Sequence, residues 1–379
     1  MTCTNRLRRG LPAGPLNPIT MSKYKETVNT GASEVSTVNT PSASPKDSPS
    51  SSARPAAITA PADADSTPKG PSIWDKAKYL VLRAVAAAAV AAHKACDPVK
   101  KKLKTIKGGK AIYRPGGKAK EYALFATNIF KGCPGPHCLY CYLFKGKMAK
   151  TLGTCLVSLK ACFKSERSAV TAFFNELFGG NGGTVRPELL EHGIFFTFIS
   201  DPGLPQTFPL FAALIAEAVK LHVPIQFLTK RTAWLDSEIF QDLLTIPEVK
   251  DYLVIGLTLT GRDDMEPGAS PNSERILALH RIHDLGFRCF ASVEPVIQTS
   301  KSLAIVQECA GFVDLFRVGL LAGGEFKIAD LRKFADDLAA IPEKPHIYLK
   351  DGLVKRLKRT RESYGSNFVD ADYRPWNHD

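Results

Sequence analysis

From about Tyr122 onward, short runs rich in β-branched and aromatic residues alternate with stretches of helical period. The strand runs fall at 123–130, 194–200, 224–230, 253–260, 287–294 and 314–320, with a further one at 346–350. Helical periods lie between them, near 167–177, 208–221, 236–244, 272–284, 302–310 and 328–340, and Gly286 and Gly311 stand where two of these helices should stop. Strict alternation leaves few folds open. Parallel neighbours need a long crossover, the crossover is a helix, and its hand is right. The expectation is an α/β protein in which six strand–helix units close most of a TIM-like barrel, a partial (β/α)6 barrel. Barrel sites lie at the C-terminal mouth, so residues that end or follow strands are the first functional candidates.

The first strand run leads into Asn128-Ile-Phe-Lys-Gly-Cys-Pro-Gly-Pro-His-Cys-Leu-Tyr-Cys-Tyr142. Cys133, Cys138 and Cys141 sit close enough in sequence to aim at one soft metal centre. A structural zinc site wants a fourth ligand, usually from a second Cys-x-x-Cys, and the chain has none. Three readings stay open: a three-thiolate iron–sulfur site with one iron free to bind a ligand, zinc with His137 as fourth ligand, or no metal. Cys155, Cys162 and Cys309 lack ligand spacing and read as core or surface thiols. Cys289 falls on the opposite strand face from Ser292 and Glu294 and reads as packing. His280 and His283 are three apart on one helical stretch and read as packing too.

The cysteine loop resembles the cluster loop of radical S-adenosylmethionine (SAM) enzymes, with one departure: four residues, not three, separate Cys133 from Cys138. The turn-prone Pro134-Gly135-Pro136-His137 holds the extra residue. The later strand ends extend the resemblance. They are Phe196-Thr-Phe-Ile-Ser-Asp-Pro202, Phe227-Leu-Thr-Lys230, Gly256-Leu-Thr-Leu-Thr260, Glu266-Pro-Gly-Ala-Ser-Pro271 with Glu274-Arg275, and Ala291-Ser-Val-Glu-Pro-Val296. In order and spacing these are similar to the spore-photoproduct-lyase-like branch, over roughly 119–352. The resemblance implies a radical SAM core with a [4Fe–4S] cluster on Cys133, Cys138 and Cys141, and S-adenosyl-L-methionine as the second cofactor. Reductive cleavage of SAM would then start hydrogen-atom abstraction. It implies that Lys230 pairs with the SAM carboxylate, that Ser200 and Asp201 meet its amino group or ribose, and that Tyr140 lies against adenine. Ser292 and Glu294 share a strand face, which puts Glu294 in reach of ribose or substrate. Plainer roles stand beside these: a solvated Lys230, Asp201 in a turn before Pro202, Tyr140 in loop packing, and Glu294 held by Arg275 or another base. A flavodoxin- or ferredoxin-like reducing partner is implied, and the branch suggests DNA or nucleotide repair.

Outside the core, residues 1–72 are Ser/Pro/Ala-rich and read as a disordered tail without a signal-peptide apolar core. Residues 73–118 read as an Ala-rich helix, capped by Ser72, and a basic linker. The apolar run after Arg83 is too short for a membrane span, so the helix is expected to pack on the core or hang loosely from it. Residues 353–379 read as a basic extension. The net charge of +13, concentrated around Lys100–Lys104 and Lys355–Arg361, admits a nucleic-acid partner. The nine cysteines point to a reducing, cytoplasmic compartment. Two function classes remain: a radical-SAM enzyme of unknown substrate, and a non-enzymatic module that binds metal and nucleic acid.

Overall fold

The structure, a computed structural model, describes residues 72–95, 111–145, 148–179 and 183–376. The expected tail before Ser72 and the basic run at 100–104 lie outside the described residues.

The described residues form ten strands and eleven α-helices. The strands are β1 (Ile112–Tyr113), β2 (Ala126–Thr127), β3 (Phe130–Lys131), β4 (Ser158–Leu159), β5 (Ile194–Phe196), β6 (Ile225–Thr229), β7 (Leu253–Thr258), β8 (Cys289–Val296), β9 (Leu315–Leu320) and β10 (His346–Leu349). The helices are α1 (Ile73–Lys94), α2 (Ala149–Leu152), α3 (Glu166–Phe178), α4 (Pro187–His192), α5 (Phe208–Val219), α6 (Glu238–Leu244), α7 (Val249–Tyr252), α8 (Asn272–Asp284), α9 (Thr299–Cys309), α10 (Ile328–Ala339) and α11 (Asp351–Leu357). Eight strands share one sheet in the order β1-β2-β5-β6-β7-β8-β9-β10. β1 runs antiparallel to β2 and every later pair is parallel. This is the alternating α/β architecture that the sequence pattern demands.

The sheet curls around its own inner core. Phe195, Val254, Phe290, Leu315 and Tyr348 meet there, and Gly256 leaves the space that the Phe290 ring fills. Arg317 on β9 crosses this interior, donating to Gln226 Oε1 on β6 at 2.8 Å and to the Tyr122 carbonyl at 2.9 Å. Reaching β6 from β9 requires a strongly curved sheet, a partial barrel with β1 and β10 at its edges. Burial pulls the Arg317 guanidinium down to about 10. The outer face carries the larger core under the helices.

The first expected strand, 123–130, is broken in two. β2 stays in the main sheet, whereas β3 leaves it to pair with β4. Asn128, between them, takes over the work of the ladder. Its Oδ1 accepts from Thr197 Oγ1 at 2.5 Å and from the Phe198 N–H at 2.8 Å. A side chain thereby replaces backbone pairing at the end of β5, which stops at Phe196 rather than at 200. Gly286 adopts the left-handed conformation expected of a helix stop, with φ 83°.

α1 packs on the core as a rigid strut. Ser72 and Asp75 form a capping box at its start. Tyr79 donates to Asp242 at 2.6 Å, Arg83 reaches the same carboxylate, and Lys78 pairs with Glu166 at 2.7 Å. Tyr79, Leu82, Ala86 and Val90 are buried against α3 and α5. α5 therefore has protein on both sides, and all twelve of its residues are buried.

The segment beyond 353 is part of the core rather than a separate extension. Leu353, Leu357 and Phe368 are buried. Residues 367–369 lie along β10, with Ile347 N–H donating to Asn367 and Val369 N–H to Ile347, each at 2.9 Å. The arginines of the 355–361 cluster have partners within the chain, while Lys355 and Lys358 stay exposed. Arg356 donates to the Gly324 and Phe326 carbonyls, Arg359 pairs with Asp336, and Arg361 holds Asp351 and Asp370.

Candidate active site at the strand ends

The cysteine loop leaves β3 at Gly132, whose φ of 94° and close approach to the Leu156 carbonyl exclude a side chain. Gly132 N–H donates to Ile199 at 2.9 Å, just beyond β5, and Cys133 N–H to Thr154 at 3.1 Å. Leu139 N–H donates to Met265 at 2.8 Å, and turns closed by Cys141 and Phe144 follow. Pro136 lies on Gly268, where a Cβ would come within 2.1 Å of its carbonyl oxygen. The four-residue stretch between Cys133 and Cys138 is thus seated on the Glu266-Pro267-Gly268 segment.

Glu266 is the hub of the rim. Its Oε2 accepts from Arg275 at 2.5 Å and Thr260 at 2.8 Å, and its Oε1 accepts from the Tyr140 hydroxyl. Lys230 Nζ stands 3.6 Å from Oε1 and 5.4 Å from the centre of the Tyr140 ring. Burial alone would raise the Glu266 pKa; Lys230 and Arg275 outweigh it and hold the carboxyl at about 2. Burial, with Glu266 adding to it, pushes the Tyr140 phenol well up. Lys230 is therefore neither a solvated strand-end lysine nor an unpaired one: it is shared between a carboxylate and an aromatic face. Its side chain keeps 22% exposure, against 0% for Glu266 and Arg275.

Asp201 is committed to the scaffold. It accepts from Gly203 N–H at 2.9 Å, Thr229 Oγ1 at 2.5 Å and Lys230 N–H at 3.0 Å, which ties the end of β5 to the end of β6. The neighbouring Ser200 Oγ is the reverse case, a buried hydroxyl with no hydrogen-bond partner. An unmet buried polar group of this kind costs about 1–3 kcal/mol, which a bound ligand can offset.

Ser292 and Glu294 form a second group on the inner face. The Tyr122 hydroxyl is 2.6 Å from Ser292 Oγ and donates to Glu294 Oε2 at 2.7 Å. Lys350 Nζ holds both Glu294 oxygens, at 3.0 and 2.9 Å, above the Tyr122 ring. The base on Glu294 is thus Lys350, and Arg275 serves Glu266 instead. Tyr142, next to Cys141, donates to the Phe198 carbonyl, and the Phe198 ring packs on Tyr122, so the two groups are joined through the protein. Sequence reasoning gave no role to Glu266, Tyr122 or Lys350. Lys350 carried the same signal as Lys230, a lysine closing a buried strand.

Cys133, Cys138 and Cys141 are free, half-buried thiols on this one loop. Burial, then the Asp201 carboxylate, pushes Cys133 up to about 12, and burial raises Cys138 against the pull of Lys230. The three sulfurs fit a soft metal by donor chemistry. They are not gathered around a point: among the described residues no three His, Cys, Asp or Glu side chains are placed to hold a metal ion. His137 turns away from them, with Nε2 at 3.2 Å from Cys155 Sγ and its ring stacked on Phe144. It does not stand as a fourth ligand to the triplet. Cys289 is buried in the outer core, donating to the Phe312 carbonyl.

No family model and no curated protein matches the chain. Among solved structures it is similar to a spore photoproduct lyase mutant with bound AdoMet and dinucleoside spore photoproduct. There the identity is 16%, the match covers 62% of this chain and 63% of that one, and the TM-score is 0.41. Spore photoproduct lyase complexed with dinucleoside spore photoproduct matches at 16% identity, over 70% and 72% of the two chains, with a TM-score of 0.40. Streptococcus suis SuiB bound to S-adenosylmethionine matches at 15% identity, over 39% and 34%, with a TM-score of 0.31. The chain thus spans just under two thirds of the first of these proteins.

Proposed function

We propose that this protein is a radical-SAM enzyme. The observation that carries the reading is the delivery of three free thiols, on a loop braced at both ends, to a strand-end rim that holds a partly exposed lysine and an unpartnered buried hydroxyl. Cys133, Cys138 and Cys141 would hold a [4Fe–4S] cluster, leaving one iron for SAM. Bound together, the two cofactors supply one-electron cleavage of a sulfonium and the start of hydrogen-atom abstraction.

The chain's own residues do the binding and orienting. Lys230 presents its ammonium to the SAM carboxylate, and Glu266 fixes where that ammonium sits. Ser200 Oγ, unpartnered, meets the amino group. Asp201 works one step back, because its oxygens are spent on the backbone that carries Lys230. Tyr140 offers its ring to adenine while Glu266 anchors its hydroxyl. Ser292 and Glu294, fixed by Tyr122 and Lys350, face the interior and take ribose or substrate.

Anaerobic reconstitution tests the reading directly. About four irons and four sulfides per chain are expected, with SAM cleavage on reduction. Cys133→Ala, Cys138→Ala and Cys141→Ala should each lose the cluster, while Cys155→Ala and Cys289→Ala keep it. One tightly held zinc without sulfide would refute the enzyme reading and favour a structural metal module.

A further inference from the structure

The segment that carries the three cysteines has no acid of its own. From Tyr122 to Ser165 the sequence holds lysines but no Asp, Glu or Arg. Among the described residues, Lys160 lies over the Phe163 ring, while Lys131, Lys145, Lys150 and Lys164 form no ion pair. Lys145, Lys150 and Lys164 are exposed. Elsewhere on the surface cations meet acids, as Arg281 meets Asp236 at 2.5 Å and Lys333 meets Asp337 at 2.9 Å. The same segment exposes aliphatic side chains: Leu156 is 72% exposed and Leu139 51%. Contacts join these positions. Phe130 is buried, and Val157 and Leu159 pack on the core, so strand alternation turns Lys131 and Ser158, paired across β3 and β4, outward. Cys133 N–H donates to the Thr154 carbonyl, and His137 Nε2 stands 3.2 Å from Cys155 Sγ. Leu139, two residues from His137, and Leu156, next to Cys155, therefore flank the same contact.

We propose that this patch docks an acidic one-electron carrier protein, which passes its electron to the centre held by Cys133, Cys138 and Cys141. The proposal rests on the radical-SAM reading, in which each cleavage consumes one electron from outside the cofactor pair. In the transfer the carrier is oxidised by one electron and the thiolate-bound centre is reduced by one; no bond is made or broken. Charge identifies the occupant as acidic, because unpaired lysines attract a negative surface and steer its approach. The exposed side chains identify it as a protein. Single-stranded nucleic acid stacks its bases on free aromatic faces. The aromatic side chains of this loop are already engaged: Tyr142 donates to the Phe198 carbonyl, Phe144 stacks on His137, and Tyr140 is held by Glu266. What remains exposed are leucines, which pack against a partner's aliphatic side chains. Lysines are mobile point charges and suit a brief encounter better than the fixed forks of arginine. Such encounters need only a small interface. Place identifies the purpose. Leu139 lies between Cys138 and Cys141 in the chain, so a protein seated on it comes close to the thiols.

The test uses the full chain with flavodoxin and, in parallel, a ferredoxin, both acidic one-electron carriers. Dithionite, a small reductant that needs no docking, is the control. At least one reduced carrier should reduce the reconstituted iron centre, and the same carrier should bind the iron-free chain in a direct binding titration. Its affinity should fall by at least ~tenfold from low to physiological salt. Lys145→Glu combined with Lys150→Glu should lower the affinity by at least ~tenfold and slow reduction by the carrier to a similar degree. Iron content, thermal melt and reduction by dithionite should stay unchanged in that variant. Leu156→Ser should also weaken binding. Lys355→Glu combined with Lys358→Glu makes the same charge change outside the patch and should leave binding unchanged. Equal weakening by the two pairs overturns the proposal, since only the net charge of the molecule then attracts the carrier. Reduction by dithionite with neither carrier bound overturns it while the radical-SAM reading stands. Absence of iron and sulfide after reconstitution overturns both. An oligonucleotide that displaces the carrier and depends on Lys145 and Lys150 overturns it in favour of nucleic acid.

Discussion

Glu266 keeps a negative charge inside the protein because two cations, Lys230 and Arg275, converge on it. With its pKa at about 2 in the fold against an ordinary 4.5, it contributes stability that is fully present above about pH 4.5 and lost as pH falls toward 2. Glu266→Gln leaves buried Arg275 with only the half-exposed Asp263, 3.6 Å away, as a counter-charge, so a loss of up to about 3–5 kcal/mol near neutral pH is expected. Thermal melts of both proteins should show that gap closing as the buffer is taken from pH 5 to pH 3. Lys230→Met keeps the stem and removes the ammonium. The cluster should still form, and SAM affinity should fall by roughly tenfold or more, the equivalent of about 1.4 kcal/mol. Equal SAM affinity in the two proteins would return Lys230 to a purely structural partner of Glu266. Which residues stand at the rim was legible, because strand ends and a cysteine triplet announce themselves locally. Who pairs with whom was not. Arg275 and Glu266 are nine apart across a turn, and Lys350 reaches Glu294 from 56 residues away, so both pairings depend on how the loops and the barrel close.

At the scale of elements, α1 distinguishes its two faces sharply. Leu82→Ala, at a buried position against α3 and α5, should cost about 2–5 kcal/mol in a denaturation experiment. Leu80→Ala, two residues earlier on the outer face, should stay within about 0.5 kcal/mol. Similar losses at both positions would mean that the outer face is covered in solution. Every long element of the barrel was visible in the alternation of periods, and α8 begins and ends where that pattern places it. The short pieces were hidden. β1, β4 and α2 have two to four residues each, below the length at which a period can be recognised. The break between β2 and β3 depended on Asn128 meeting Thr197 and Phe198, which no run of apolar residues signals.

For the molecule as a whole, the chain beyond Gly365 completes the edge of the barrel. Residues 367–369 cover β10, Tyr373 bonds His346 at 3.0 Å, and Arg374 and Trp376 reach His192 and Glu191 beside β5. A chain ending at Gly365 should expose the β10 edge, lose thermal stability and aggregate, as light scattering during a melt would show. An unchanged melt would return this segment to the dispensable extension suggested by its composition. The same segment, through Val369, Tyr373 and Trp376, packs on the inner core that Phe195, Val254, Phe290 and Tyr348 fill, and Arg317 spans the layer above. Side chains that come last along the described chain thus fill one end of the barrel, so the inner core is completed only when the chain's final turns are in place.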